Sequence, residues 1–431
     1  MAVNPNAIFL LLGTFFFLII VGVQIGISVL ISSFITCAYI GIPLQTMAMQ
    51  VIKGLNVYTL MAVPLFILAG EVMTRGGITN RLVDLSKALV GWIRGSLAQV
   101  NIVACLFFGA ISGSSAAATA SIGSMMIPMM EKDGFDTDFA TCVSMSSSVE
   151  AMLIPPSHNM IIFALAAGGV SVGRVFIAGI VPGFILAGVL AVYCYFVSVK
   201  RKYPKGEKFN LKLALKCGYK ALPGMCTVLI VVVGVLGGLF TATEAAAVAA
   251  VYAFIVGIFF YKEIKVRDIP DIVRKALKTT CMIMFLIGAS SCFSWLVSYL
   301  SIASVFTSWL TSVTSSPVAI LMIINIFLII CGMVMDMSAI ILIVTPILLP
   351  VIQQIGMDPA HFCAMLILNL GIGVITPPVG NTLFIGSALS GRSVIQLSKA
   401  MLPFYLMMFV ALMVVTYVPA ISTFLPNLLM G

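Results

Sequence analysis

Ile154-Pro-Pro-Ser-His-Asn-Met160 and Thr376-Pro-Pro-Val-Gly-Asn-Thr382 each set a double proline inside an apolar segment otherwise long enough to cross a bilayer. Pro156 and Pro378 stand 222 positions apart. The same offset, without a gap, pairs Pro128 with Pro350, Gly134 with Gly356, Asp136 with Asp358, Asn159 with Asn381, and Gly169 with Gly391. Chance does not hold register over so many turn residues, so the chain is two copies of one unit. Proline removes a backbone donor and clashes with the preceding turn, which makes each segment two half-helices joined by unwound chain. Irregular backbone at membrane depth survives only inside protein or lining a wet cavity.

Composition places the rest of the chain in the same setting. The 431 residues are 61% hydrophobic and 9% charged, with a mean hydropathy of +1.19. No soluble core of this size buries that much apolar surface, so the expected class is an all-α polytopic membrane protein in a lipid bilayer. The ten cysteines form no CxxC pair and the two histidines are far apart, so neither a zinc site nor a disulfide framework is signalled. The net charge of +9 sits in short connections between apolar runs, which fits cytoplasmic loop bias and not nucleic-acid binding. The first apolar run follows no basic segment and continues past Val29, so it reads as a span rather than a cleaved signal.

Apolar runs predict spans near 7–37, 55–73, 174–199, 222–239, 243–261, 279–297 and 400–425, with broken helices over 137–169 and 358–391. Segments 97–131 and 319–353 are too long for one crossing and are interrupted midway, so each is expected to be a re-entrant hairpin. Stretches 77–95 and 262–278 read as amphipathic, lying along the cytoplasmic interface. The scheme gives a first repeat over 1–199, a cytoplasmic linker over 200–221 and a second repeat over 222–431. With the N-terminus inside, 21 of the 23 Lys and Arg residues fall on the cytoplasmic side, only Lys53 and Arg174 lying outside. Five crossings then separate the two starts, and an odd number inverts the second copy. Inverted repeats with matching helix breaks point to a transporter's binding site at the midplane.

The tips and loops carry oxygens without fixed charge, which a hard cation such as Na⁺ accepts. The Na⁺ candidates are Ser112, Gly113, Ser115 and Pro155 in the first half, and Gly332, Asp336, Gly373 and Thr376 in the second, with the glycines and the proline as carbonyl donors. Half-helices starting after each proline pair aim backbone N–H groups at the same space, which favours an anionic substrate beside Ser157, His158, Asn159, Gly380, Asn381 and Thr382. Competing bland readings stand beside these. The small residues of 112–121 suit close helix packing, and His158 suits a hydrogen-bonded filler. Asp336 suits either a ligand or a cap for its own tip. Thr241-Ala-Thr-Glu244 fits a capping box, and Asp136 and Asp358 fit N-caps. Of the acids inside the membrane, Glu71 and Glu150 have no assigned task.

At Phe240-Thr-Ala-Thr-Glu-Ala-Ala-Ala-Val248, at Gly109-Ala-Ile-Ser-Gly-Ser-Ser-Ala-Ala-Ala-Thr-Ala120 and at both proline motifs, the sequence resembles the large membrane subunit of TRAP (tripartite ATP-independent periplasmic) transporters. The resemblance runs through nearly the whole chain. It implies an elevator-type fold in a bacterial inner membrane, a Na⁺ gradient as the driving force, a separate small four-helix membrane subunit, and a periplasmic binding protein that delivers a carboxylate. Family substrates include sialic acid, towards which the overall likeness leans, and C4-dicarboxylates. A standalone Na⁺/anion symporter is the near alternative. An intramembrane enzyme would need clustered acids or a nucleophile, and the acids here lie on separate segments. A channel would not need two inverted broken-helix repeats, and no GxxxxGK[ST] run is present for ATP.

Overall fold

The computed structural model describes residues 5–430, and they are helical almost throughout. The first copy runs α1 (Pro5–Ile20), α2 (Ile25–Tyr39), α3 (Leu44–Leu55), α4 (Ala62–Arg75) and α5 (Ile78–Val90). Hairpin one follows: α6 (Ser96–Ser112) descends to a tip, and α7 (Ser115–Ala118) and α8 (Ser124–Lys132) return, joined by a π-turn at Thr119–Gly123. The first broken helix is α9 (Thr137–Ser148) with α10 (Glu150–Leu153), then α11 (His158–Ala166), bent by 49° at the proline loop. Helix α12 (Val172–Lys200) closes the copy.

The second copy runs α13 (Leu211–Leu236), α14 (Ala242–Ile255), α15 (Ile269–Tyr299) and α16 (Ile302–Val313). Hairpin two is α17 (Pro317–Val334) and α18 (Met337–Gln354), and the second broken helix is α19 (Pro359–Gly373) with α20 (Asn381–Ser390). Helices α21 (Val394–Ala400), α22 (Leu402–Tyr417) and α23 (Ala420–Met430) finish the described chain. The 222-residue offset survives in three dimensions. Ser115 and Met337 begin the returning hairpin limbs, Lys132 and Gln354 end them, and Val172 and Val394 begin the helices after the breaks. Both copies carry a cis peptide at the corresponding bond, Pro155–Pro156 and Pro377–Pro378.

Local chemistry explains the boundaries. Asp136 accepts from the Phe139 N–H at 3.1 Å and Asp358 from the Ala360 N–H at 2.7 Å, so both aspartates cap the broken helices as expected. The Thr241–Glu244 capping box starts α14, with the Thr241 N–H donating to the Glu244 carboxylate at 2.8 Å and the Glu244 N–H to the Thr241 hydroxyl at 3.2 Å. Among the described residues seven helices are long and apolar enough to span a bilayer, or nine when two bent pairs each count as one span. Exposed Phe9, Phe17, Phe184, Phe196, Leu229 and Val233 give α1, α12 and α13 the outward apolar faces that lipid requires.

Four expectations need correction. The stretch 7–37 is two helices, because the chain turns at 21–24 with Gly22 at φ +89° and α1 packs back on α2. The stretch 262–278 is not a separate interfacial element. From Ile269 it is continuous with the next span in one 31-residue helix. Its counterpart by offset is α3, and the counterpart of α5 is α16; neither α3 nor α16 was anticipated. The span expected at 222–239 begins at Leu211, within the linker. The span expected over 400–425 is a pair bent by 54° at Met401, with α23 separate.

Candidate functional site at the crossed hairpin tips

Hairpin one turns at Gly113, which holds φ +59° and lies against the first proline loop so closely that an added Cβ would meet the Ser157 Cα at 2.9 Å and the Pro156 carbonyl oxygen at 3.0 Å. Only glycine permits both the left-handed backbone and that approach. On hairpin two the contact falls one turn earlier. Gly332 and Gly373 pack backbone to backbone, and the Val379 N–H of the second proline loop donates to the Met333 carbonyl at 3.1 Å. Each tip therefore docks on the broken helix of its own half.

The structure adds a second set of contacts that cross between the halves. The Ser115 hydroxyl lies 3.1 Å from that of Thr382 at the start of α20, and 2.6 Å from that of Ser148. Reciprocally, the Ser338 hydroxyl donates to the Asn159 side-chain oxygen at 3.2 Å, at the start of α11. All five side chains are buried. These two buried contacts between the halves make the polar junction of the apolar bundle, one at the start of α20 and one at the start of α11.

The remaining candidates distribute around this junction. Pro155 and Ser157 are buried, and the Ser157 hydroxyl has no hydrogen-bond partner among the described residues. The Ser112 hydroxyl accepts from the Ser114 N–H at 3.4 Å. Thr376 donates to the Ile372 carbonyl at 2.6 Å and lies beside the Tyr405 hydroxyl. Asp336 caps α18 by accepting from the Ser338 N–H at 3.0 Å, so the capping half of its double reading holds. His158 is half-buried and begins α11; Asn381 is exposed at the start of α20. Gly380 is buried with φ +23°, and an added Cβ would meet the Thr376 carbonyl oxygen at 2.8 Å, so it shapes the loop and leaves no room for a side chain.

Two contributors went unnoticed in the sequence. Tyr405 on α22 donates to the Ile375 carbonyl at 2.7 Å and supports the second proline loop from behind. Ser148 carries no motif at all. A lone tyrosine or serine in an apolar span gives no local signal, because its partner is set by tertiary docking.

A continuous helical bundle with apolar outer faces, two broken helices and a buried polar junction defines a polytopic membrane protein of the transporter class. Its fold is similar to that of the YdaH transporter of Alcanivorax borkumensis, with a TM-score of 0.63 at 14% identity over 89% of this chain and 88% of that one. Residues 12–421 match the family model described as tripartite ATP-independent periplasmic transporter, DctM component. The chain is 40% identical to the C4-dicarboxylate TRAP transporter large permease protein DctM of Pseudomonas aeruginosa, over 89% of this chain and 90% of that one. It is 32% identical to the sialic acid TRAP transporter large permease protein SiaM of Vibrio cholerae, over 96% and 97%. The chain belongs to the TRAP transporter large permease family, and it is a transporter component rather than an enzyme.

Proposed function

We propose that the protein carries an organic carboxylate across the cytoplasmic membrane, driven by Na⁺ bound at the crossed tips, through an elevator motion of the hairpin-bearing bundle. The observation that carries this reading is the reciprocal pair of contacts, Ser115 with Thr382 and Ser338 with Asn159. Each tip is positioned by a half-helix of the opposite copy, so a ligand at the junction touches both copies at once. Site one would use Ser112, Gly113, Ser115 and Pro155, and site two Gly332, Gly373 and Thr376, with the Asp336 carboxylate beside it. The carboxylate lies between them, near Ser157, His158, Asn159, Asn381 and Thr382, against the two helix starts. Gly380 lets the loop pack tightly there. Likeness does not single out sialic acid, because the C4-dicarboxylate relative is the nearer of the two compared.

The family description is of a tripartite periplasmic system, and the reading includes a separate small membrane subunit and a periplasmic binding protein. Counting α1 and α2 as one crossing each moves the start of α1 to the periplasmic side and leaves the basic clusters cytoplasmic. Five crossings still separate α1 from its counterpart α13, so the copies stay inverted. The ion pairs support this arrangement. Arg75 with Asp271, Arg81 with Glu263, and Arg392 with Asp138 each join two residues assigned to the cytoplasmic side, while Arg174 with Asp358 joins two assigned to the periplasmic side. A cavity of about 260 Å³ lies between α3 and α15 on one side and α11 and α18 on the other, where a moving bundle would slide.

The test is reconstitution in proteoliposomes with the small subunit, with and without the binding protein, against succinate, sialic acid and an amide analogue. Saturable uptake of a carboxylate that needs inward Na⁺ and the binding protein supports the reading. Uptake without Na⁺, or transport of the amide as fast as the acid, would overturn it. Na⁺-driven uptake that needs no binding protein would identify a standalone symporter.

A further inference from the structure

We propose that Glu150, on α10 of the first broken helix, is a proton-binding site inside the moving bundle, and that a proton enters the transport cycle there. The inference rests on the carrier reading but not on which carboxylate is carried. Glu150 is completely buried, and neither carboxylate oxygen has a hydrogen-bond partner among the described residues. An ionised carboxylate buried without a partner carries a penalty of several kcal/mol. A neutral acid carries a smaller one, so the arrangement favours the protonated form.

Among the described residues no permanent counter-charge faces it. Helix α10 packs against α6, α12, α19, α9 and α7. Among the described residues, the titratable groups that interact electrostatically with Glu150 are two thiols, Cys105 on α6 and Cys194 on α12. On α9, Cys142 and Asp138 lie two and three turns earlier, and Asp138 pairs with Arg392. On α19, His361 faces the Thr416 carbonyl at 3.3 Å, and α7 carries no titratable residue. A metal ion is a poor occupant. Hard cations take about six oxygens, and beyond its own carboxylate the hydroxyls on Glu150's helix face one turn earlier are Ser146, already bonded to the Cys142 carbonyl at 2.8 Å, and Ser147, which is buried and likewise unpartnered among the described residues.

Two further observations distinguish a working acid from packing. The equivalent position of the second copy, 222 residues on, is Ile372, which is also buried. The fold therefore accepts a hydrocarbon there. A buried polar series also leads from Cys105, whose thiol donates to the Asn101 side-chain oxygen at 3.4 Å, to Ser144, which accepts from the Asn101 amide. That series runs towards the starts of α6 and α9, the cytoplasmic ends of both helices, and provides polar groups along which a proton can exchange when the packing loosens.

The experiment pairs infrared difference spectroscopy of the purified protein at two pH values with pH-dependent uptake in proteoliposomes, using wild type, Glu150→Gln and Glu150→Ile. Glu150→Ile copies the second half and serves if the amide variant does not fold. The wild type should show a protonated-carboxyl band that titrates and is missing from both variants. Its uptake should change by up to about tenfold per pH unit on the limiting side, and the variants should flatten this to less than about twofold. A band that never titrates, or a variant that keeps the full pH slope, would make Glu150 a neutral filler. A variant that instead raises the Na⁺ requirement at unchanged pH slope would make it a metal ligand. Absence of uptake for every carboxylate would refute the carrier reading, while the infrared band would still decide the protonation of Glu150.

Discussion

Gly113 and Gly380 set the local requirements of the two loops, and each is satisfied by glycine for a different neighbour. At Gly113 the obstacle is the backbone of Pro156 and Ser157, so Gly113→Ala should lower stability by about 1–2 kcal/mol and reduce uptake, read as a lower thermal midpoint of the purified protein. A bulky residue at Gly380 would report on folding rather than on an occupied site, since its first carbon already meets the Thr376 carbonyl. The caps offer a graded comparison. Asp136→Ala should destabilise by about 1 kcal/mol, and Asp358→Ala by more, because Asp358 also pairs with Arg174 at 3.1 Å. Equal midpoint shifts for the two would contradict the added contribution of the ion pair. Caps at Asp136, Asp358 and Glu244 were legible in the sequence because each bonds within its own first turn. The crossed hydroxyls were not, because Ser115 finds Thr382, 267 residues along the chain, only when the two halves have docked.

At the scale of elements, the proline loops and hairpins were readable from the 222-residue register, whose Pro, Gly and Asp residues fix turns and caps. Helices α1 and α2 were missed for a physical reason. Val21-Gly-Val-Gln24 interrupts the apolar run with one glycine and one amide, too weak a break to distinguish a turn from a continuous span, yet Gly22 supplies the positive φ that reverses the chain. The fused α15 was hidden by the opposite circumstance. Its amphipathic front resembles α3, but Lys278-Thr279 lacks the break that Asn56-Val57 makes between α3 and the span after it. The consequence is testable by cysteine labelling in intact cells with a membrane-impermeant reagent. A cysteine at Asn6 should label from outside, and one at Gly206 should label only after permeabilisation. Labelling of Gly206 from outside would overturn the orientation, and protection of Asn6 would return α1 and α2 to a single crossing.

In the whole molecule, a bundle that carries both tips stands beside a frame built from α2, α3, α4, α14 and α15, which pack on one another. The Ser115–Thr382 and Ser338–Asn159 contacts lie within the tip-bearing bundle, so the proposed motion carries both Na⁺ sites together with the substrate between them. Removing one ligand from either site should weaken the same cycle by a similar amount. An oxygen ligand worth about 1 kcal/mol corresponds to roughly a fivefold change in apparent Na⁺ affinity. The most direct measurement is the Na⁺ dependence of carboxylate uptake in proteoliposomes for wild type, Ser115→Ala and Thr376→Ala. Each variant should need about fivefold more Na⁺ for half-maximal uptake. Unchanged Na⁺ dependence in both variants, with folding and uptake intact, would contradict the placement of the ions at the crossed tips.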